Sequence, residues 1–261
     1  MAGVELDNDG IKMDRLAQVW NSLDKPPNLI YVSPYFHNPA GIIYSDTRKQ
    51  QLVQFAAENH VCLLEDDPYG ELYFDDADKE LCIPMKALAD RNLPLCYIGS
   101  FAKTFGPGMR LGWLCGPAKI IEKCELAKQS IDACSSTFTQ VLAWAFLSQG
   151  RLKPYVESMR KVYKRRAGIM LQALEKNMPD TVTWTRPKGG FYLWVTLPET
   201  MDATDVFNES VQHGAAFVIG SAFDPDGTKN NCFRLAFSHT PEDRIEEGVR
   251  IIADAIKRAS R

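Results

Sequence analysis

The sequence has few features that would place it in a specialised class. No apolar run is longer than Val141–Leu147, far short of a membrane span. No basic stretch followed by an apolar core opens the chain, so nothing in it points to secretion. Neither sign of charge is in excess: 30 Lys and Arg face 33 Asp and Glu, a net charge of −3. That balance argues against broad nucleic-acid or membrane-surface binding. The seven cysteines include no C-x-x-C pair, and His37, His60, His213 and His239 lack ligand spacing, so no metal site is expected. The cysteines sit mostly in apolar strings such as Val61-Cys62-Leu63-Leu64. They read as small hydrophobes in a reducing, cytoplasmic compartment.

What is present is ordinary globular composition: 261 residues, 45% hydrophobic and 24% charged, enough for one large domain or two moderate ones. Asn28–Val32 reads as a strand, and Ser45-Asp46 as the cap of a helix running to about Asn59, on which Leu52, Phe55 and Ala56 recur at helical spacing. Val61–Leu64, Pro94–Gly99 and Met109–Cys115 read as further strands. Strand, helix, strand over such distances predicts crossover units and a parallel sheet. From Ser136 the pattern changes to a largely helical stretch, Thr137 to about Asn177, interrupted near Gly150 and Pro154. Strands at Val182–Trp184, Gly190–Val195 and Cys232–Phe237 follow, with helices at Ala203–His213 and Glu242–Ala259. Ile245, Val249, Ile252 and Ile256 line one face of the last helix.

Four segments carry polar groups where an open parallel sheet binds ligands, at or beyond strand ends. His37-Asn38-Pro39-Ala40-Gly41 is rich in turn formers, and a plain turn explains it when taken alone. Glu65-Asp66-Asp67-Pro68-Tyr69-Gly70 follows a strand; a solvated acidic turn accounts for two of its acids, and Asp66 and Tyr69 have Asp-x-x-Tyr spacing. The run from Gly99 to Gly112 is more specific. It sets Ser100, Lys103 and Arg110 in a short loop crowded with Gly, Ser and Thr. Backbone amides and hydroxyls can approach a phosphate there, and an arginine can grip it bidentately. A lysine fixed beside such an arginine is a Schiff-base candidate. The fourth segment, Asn231–Phe237, has Arg234 interrupting a largely apolar strand, where it either snorkels to solvent or pairs with an anion.

Together, and in this order, the four segments resemble the class I/II aminotransferases of the fold-type I pyridoxal-phosphate enzymes, in the branch of the 2-aminoadipate and kynurenine aminotransferases. The resemblance runs from about Val4 to Arg261. It implies an α/β fold: a three-layer, mostly parallel large domain, present in part over residues 1–148, then a smaller α+β domain over 149–261 reached through a connecting helix. It implies pyridoxal 5'-phosphate as cofactor, an α-amino acid and a 2-oxo acid as substrates, and a homodimer. Lys103 resembles the lysine that takes the cofactor in Schiff-base linkage and shuttles a proton at the substrate α-carbon. Asp66 matches the carboxylate that keeps the pyridine nitrogen protonated. Tyr69 and Asn38 match the groups hydrogen-bonded to the cofactor's phenolic oxygen, Ser100 and Arg110 those on its phosphate. Arg234, with Asn38, matches the clamp on the substrate carboxylate. The aromatic string Gly189–Trp194 looks like the family's small-domain strand and reads as core packing.

Two positions depart from the family pattern. Ala40 replaces the Thr of Asn-Pro-Thr-Gly, and Ala102 replaces the second Ser of Ser-x-Ser-Lys, removing one hydroxyl each while Ser100 and Thr104 remain. Val4–Ile11 resembles the middle of a family member, so the arm, one phosphate-binding helix terminus, the residue stacked on the pyridine and part of the dimer interface are expected to be missing. A sheet without those parts would expose edges and apolar faces. Three other readings stay open: an aminotransferase-like sensor domain of a transcription regulator, another fold-type I enzyme such as a lyase or decarboxylase, and a piece inert by itself.

Overall fold

The structure is a computed structural model and describes residues 1–89 and 93–259. Positions 90–92 and 260–261 of the two expected domains lie outside the described residues. The chain divides into two compact units, one of Val4–Tyr35 with Ile43–Arg160, the other of Met1–Gly3, Phe36–Ile42 and the chain from Lys161 onward.

The first unit opens with a two-stranded ribbon, β1 (Leu6–Asp7) and β2 (Gly10–Ile11), and helix α1 (Met13–Ser22). Its centre is a four-stranded sheet of β3 (Leu29–Val32), β4 (Cys62–Asp67), β5 (Leu95–Ser100) and β6 (Gly112–Cys115), in that spatial order. The first three are parallel, joined through α2 (Asp46–Glu58) and the short α3 (Met85–Leu88); β6 is antiparallel to β5. The expected fourth strand, Met109–Cys115, is therefore shorter and reversed. Pro107–Met109 form a 3-10 turn and Arg110 is left-handed at φ 47°, which delays the strand to Gly112. A connection this short cannot make a parallel crossover.

Ser45 caps α2 as its position suggested, accepting the Arg48 amide at 3.3 Å, and Leu52 and Ala56 are buried. Ile30, Val32, Leu63 and Leu95 complete the core of this unit. Buried among them is a polar cluster. Glu65 accepts the Tyr35 hydroxyl at 2.5 Å and the Met85 and Lys86 amides at 2.6 and 2.9 Å. The Lys49 ammonium donates to the Leu81 and Ile83 carbonyls and pairs with Asp46 at 2.8 Å. Burial pushes the Glu65 carboxyl up against the pull of those hydrogen bonds.

Three helices were not expected from the sequence: α1, the single turn of α3, and α4. α1 has Lys12 at its N-cap and no capping side chain, so its start carries no signal. α4 (Ala118–Asp132) follows Pro117, also without a capping side chain, and buries none of its residues. The predicted long helix is two, α5 (Thr137–Ser148) and α6 (Leu152–Asn177), separated at left-handed Gly150. Pro154 does not interrupt; it occupies the first turn of α6, where its missing N–H has no helical partner to lose.

The second unit is built on an antiparallel sheet ordered β7 (Thr183–Trp184), β8 (Tyr192–Thr196), β10 (Cys232–Ala236), β9 (Val218–Ile219), with α7 (Ala203–Gln212) and α8 (Glu242–Ala259). Ile245, Val249, Ile252 and Ile256 of α8 are buried, as their spacing predicts, with Val206, Leu193, Val195, Phe233 and Phe237 in the same core.

Candidate active site

The expected site residues form two sets, one in each unit. In the first unit they gather at the carboxyl ends of β4 and β5. Alternation along β4 sends Glu65 and Asp67 to one face and Asp66 to the other. Asp66 pairs in register with Ile98 on β5, so Ser100, two residues on, shares its face. Asp66 Oδ2 accepts the Tyr31 hydroxyl at 2.6 Å. Burial and that carboxylate push the Tyr31 phenol up, so it remains a protonated donor.

The loop after β5 folds back tightly. The Phe105 and Gly106 amides both donate to the Phe101 carbonyl, at 2.8 and 3.1 Å, and Ser100 Oγ accepts the Ala102 amide at 3.1 Å. This turn presents Lys103, half-buried, with Nζ 5.9 Å from the ring centroid of buried Tyr69. Arg110, exposed and left-handed, follows the loop. At Gly99 an added Cβ would stand 2.1 Å from the Trp113 ring, so only glycine lets β5 lie against that indole.

Asp67 is the third acid of the run and is held by hydrogen bonds. Its Oδ2 accepts the Tyr97 hydroxyl at 2.8 Å and its Oδ1 the Gly70 amide at 2.6 Å. Burial outweighs both bonds and raises its carboxyl to about 6. It faces a cavity of about 1080 Å³ lined also by Ser100, Thr104, Trp113 and Arg160.

In the second unit, Asn38 and Arg234 meet. The guanidinium Nη1 donates to Asn38 Oδ1 at 2.5 Å, and its Cζ lies over the rings of Tyr192 and Phe223, 4.1 and 4.9 Å from their centroids. Arg234 Nε is buried with no hydrogen-bond partner. A buried N–H left over on such a guanidinium suits an incoming carboxylate, which takes two parallel donors. The Phe36–Ile42 turn is closed by the His37 amide on the Ile42 carbonyl at 2.8 Å, and burial lowers His37 to about 4, keeping it neutral. Of the aromatic string read as core, Phe191 and Leu193 are buried, whereas Tyr192 lies on the arginine.

Tyr31, Tyr192 and Phe223 were not singled out from the sequence. Tyr31 had one available signal: an aromatic at a strand position flanked by buried Ile30 and Val32, hence on the opposite face. Phe223 had none, since it closes a 3-10 turn and meets Arg234 of β10 only in the folded unit.

Comparison with known proteins identifies the family. The family model "Aminotransferase class I and II" matches residues 5–252. The chain belongs to the class I and II aminotransferase family. The chain is 38% identical over 257 residues to aromatic-amino-acid aminotransferase 1 of Thermococcus litoralis, covering 97% of the chain and 61% of that protein. It superposes on the Pyrococcus horikoshii kynurenine aminotransferase, solved with PMP, with TM-score 0.93 and 38% identity, covering 98% of this chain and 63% of that one. It is also 31% identical to the uncharacterized HTH-type transcriptional regulator YisV of Bacillus subtilis, over 99% of the chain and 52% of the regulator. The chain thus spans about three-fifths of the enzymes it matches and about half of the regulator.

No helix among the described residues is long and apolar enough to cross a membrane, and no group of three metal-ligating side chains is present among them.

Proposed function

We propose that this chain is the lysine-bearing and carboxylate-binding part of a pyridoxal 5'-phosphate-dependent aminotransferase, moving an amino group from an α-amino acid to a 2-oxo acid. The observation that carries this reading is Lys103, held above the buried Tyr69 ring in a tight loop beside the strand that carries Asp66. The donor set fits the cofactor group by group: an amine for its aldehyde, a carboxylate for its pyridinium, a phenol for its phenolic oxygen, and a hydroxyl with a guanidinium for its phosphate.

When bound, pyridoxal phosphate supplies an electron sink for the pair left on the substrate α-carbon. The chain's own residues do the rest. Asp66 holds a proton at the pyridine nitrogen. Tyr69 and Asn38 orient the phenolic oxygen, and Ser100 and Arg110 anchor the phosphate. Lys103 Nζ carries the attachment and moves the α-proton. Arg234, with Asn38 fixing one edge of its guanidinium, grips the substrate α-carboxylate.

The proposal extends to a homodimer in a reducing, cytoplasmic compartment, with no nucleic-acid or membrane partner. Phe138, Val141 and Trp144 of α5 are exposed, apolar surface of the kind that subunit contacts cover. Seven unpaired thiols support the compartment.

Borohydride reduction of the chain incubated with pyridoxal phosphate tests the reading. A stable mass addition on the Lys103 peptide, absent in Lys103→Ala, is expected; addition elsewhere or none would sink it. A second reading, the sensor domain of a regulator, is favoured by the YisV match along the chain. Loaded protein incubated with amino acids and 2-oxoglutarate separates them: product glutamate supports the enzyme, and retention of cofactor without glutamate supports the sensor.

A further inference from the structure

Tyr31 stands outside every role assigned above. It is 58% exposed on β3, between buried Ile30 and Val32, so its ring gains little from burial. Its hydroxyl is nonetheless fixed on Asp66 Oδ2 at 2.6 Å, across 35 residues of chain. Register explains how. Tyr31 pairs with Leu64 of β4, and Asp66 is the next residue of β4 on the same face. Two side chains on neighbouring strands thus meet at the end of the sheet where Ser100 also stands.

We propose that Tyr31 is a positioning residue for Asp66, and so for the cofactor's pyridine nitrogen. The inference rests on the cofactor reading above. A phenol donating to an ionised carboxylate makes a short, charge-assisted bond. With Oδ2 held, the carboxylate cannot swing between rotamers, and Oδ1 is left to accept from the pyridinium N–H. Without the phenol, the carboxylate still carries its charge but loses its aim. The expected loss is therefore smaller than that from removing the carboxylate. Tyr97 of β5 and Asp67 repeat the pairing on the opposite face of β4, where Asp67 is tied to the Gly70 turn instead.

Two nuclear magnetic resonance measurements test this on the 261-residue chain. In cofactor-free protein labelled with [13Cζ]tyrosine, Asp66→Asn should move the Tyr31 resonance; an unmoved resonance means the pair does not form and overturns the inference. In protein loaded with ring-15N pyridoxal phosphate, the wild type should show a protonated nitrogen and Asp66→Asn an unprotonated one. Tyr31→Phe should give an intermediate shift with cofactor affinity weakened about 5-fold. Its thermal midpoint should match wild type, because the ring is exposed. If Asp66→Asn moves the nitrogen signal and Tyr31→Phe does not, this inference fails alone. If wild type takes up no cofactor, or Asp66→Asn leaves the signal in place, the cofactor reading fails and takes this inference with it.

Discussion

The Arg234 guanidinium donates to the Asn38 carboxamide at 2.5 Å, joining residues 196 positions apart. Three contacts then hold that side chain: one hydrogen bond and two aromatic faces, with Nε left over. Arg234→Lys keeps the charge but loses the planar fork and its ring contacts. It should raise KM for the amino donor about 10- to 100-fold, with a smaller loss in kcat. Asn38→Ala should raise it less, by removing only the orienting bond. Steady-state kinetics across donor concentrations check both, and equal KM values for Arg234→Lys and wild type would exclude the clamp.

Asp67 links the fold to pH. Its carboxyl is raised from 3.8 to about 6 by burial, so the folded state prefers it protonated. The stability this supplies is complete below about pH 4, the unfolded value, and is lost as pH rises towards and through 6. Asp67→Asn keeps an acceptor for the Gly70 amide and cannot ionise. The variant should be more stable than wild type at pH 7, by up to roughly 3 kcal/mol, and should match it near pH 4. Chemical denaturation at both pH values reads this, and a constant difference between them would show that Asp67 does not titrate in that window.

Glu65 is expected to matter for stability rather than chemistry. Removing its carboxylate by Glu65→Ala strands the Lys86 amide and leaves the Met85 amide only a 3.2 Å bond to the Tyr35 hydroxyl, which keeps the Ile83 carbonyl at 3.0 Å. A cost of about 3 kcal/mol or more follows from buried groups left unpaired. Tyr35→Phe removes one donor while the two amides stay satisfied, and should cost about 1 kcal/mol. Urea midpoints of the two variants should differ accordingly; similar values would mean the cluster is not cooperative.

Gly41 holds the turn that presents Asn38. Its φ is +68°, and an added Cβ would stand 2.4 Å from the Tyr192 carbonyl oxygen, which is backbone and cannot swing aside. Gly41→Ala should therefore cost about 2–4 kcal/mol. It should also displace Tyr192 from Arg234, raising KM for the amino donor. A thermal midpoint within a degree of wild type would refute the crowding.

The four motif segments were legible because each is short and chemically distinctive, and their order alone pointed to the family. Helices with strong periodicity were legible too, α8 most of all, because amphipathic spacing depends only on neighbours along the chain. α4 was not, since it buries no residue and has no capping side chain to mark its start. The direction of β6 was missed for another reason. Met109–Cys115 reads as a strand whichever way it runs, and its reversal follows from a connection to β5 too short for a parallel crossover.

The amino-acid order alone was enough for the family, the α/β class and a set of candidate side chains, because functional-group identity and local periodicity are properties of short segments. Tertiary structure alone decided what those groups touch. Strand register put Tyr31 on Asp66 and Tyr97 on Asp67, sending adjacent acids to opposite faces with different partners. It also laid Arg234 on Tyr192 and against Asn38. Such pairings depend on which distant segments the hydrophobic core aligns, and no local pattern along the chain encodes that alignment.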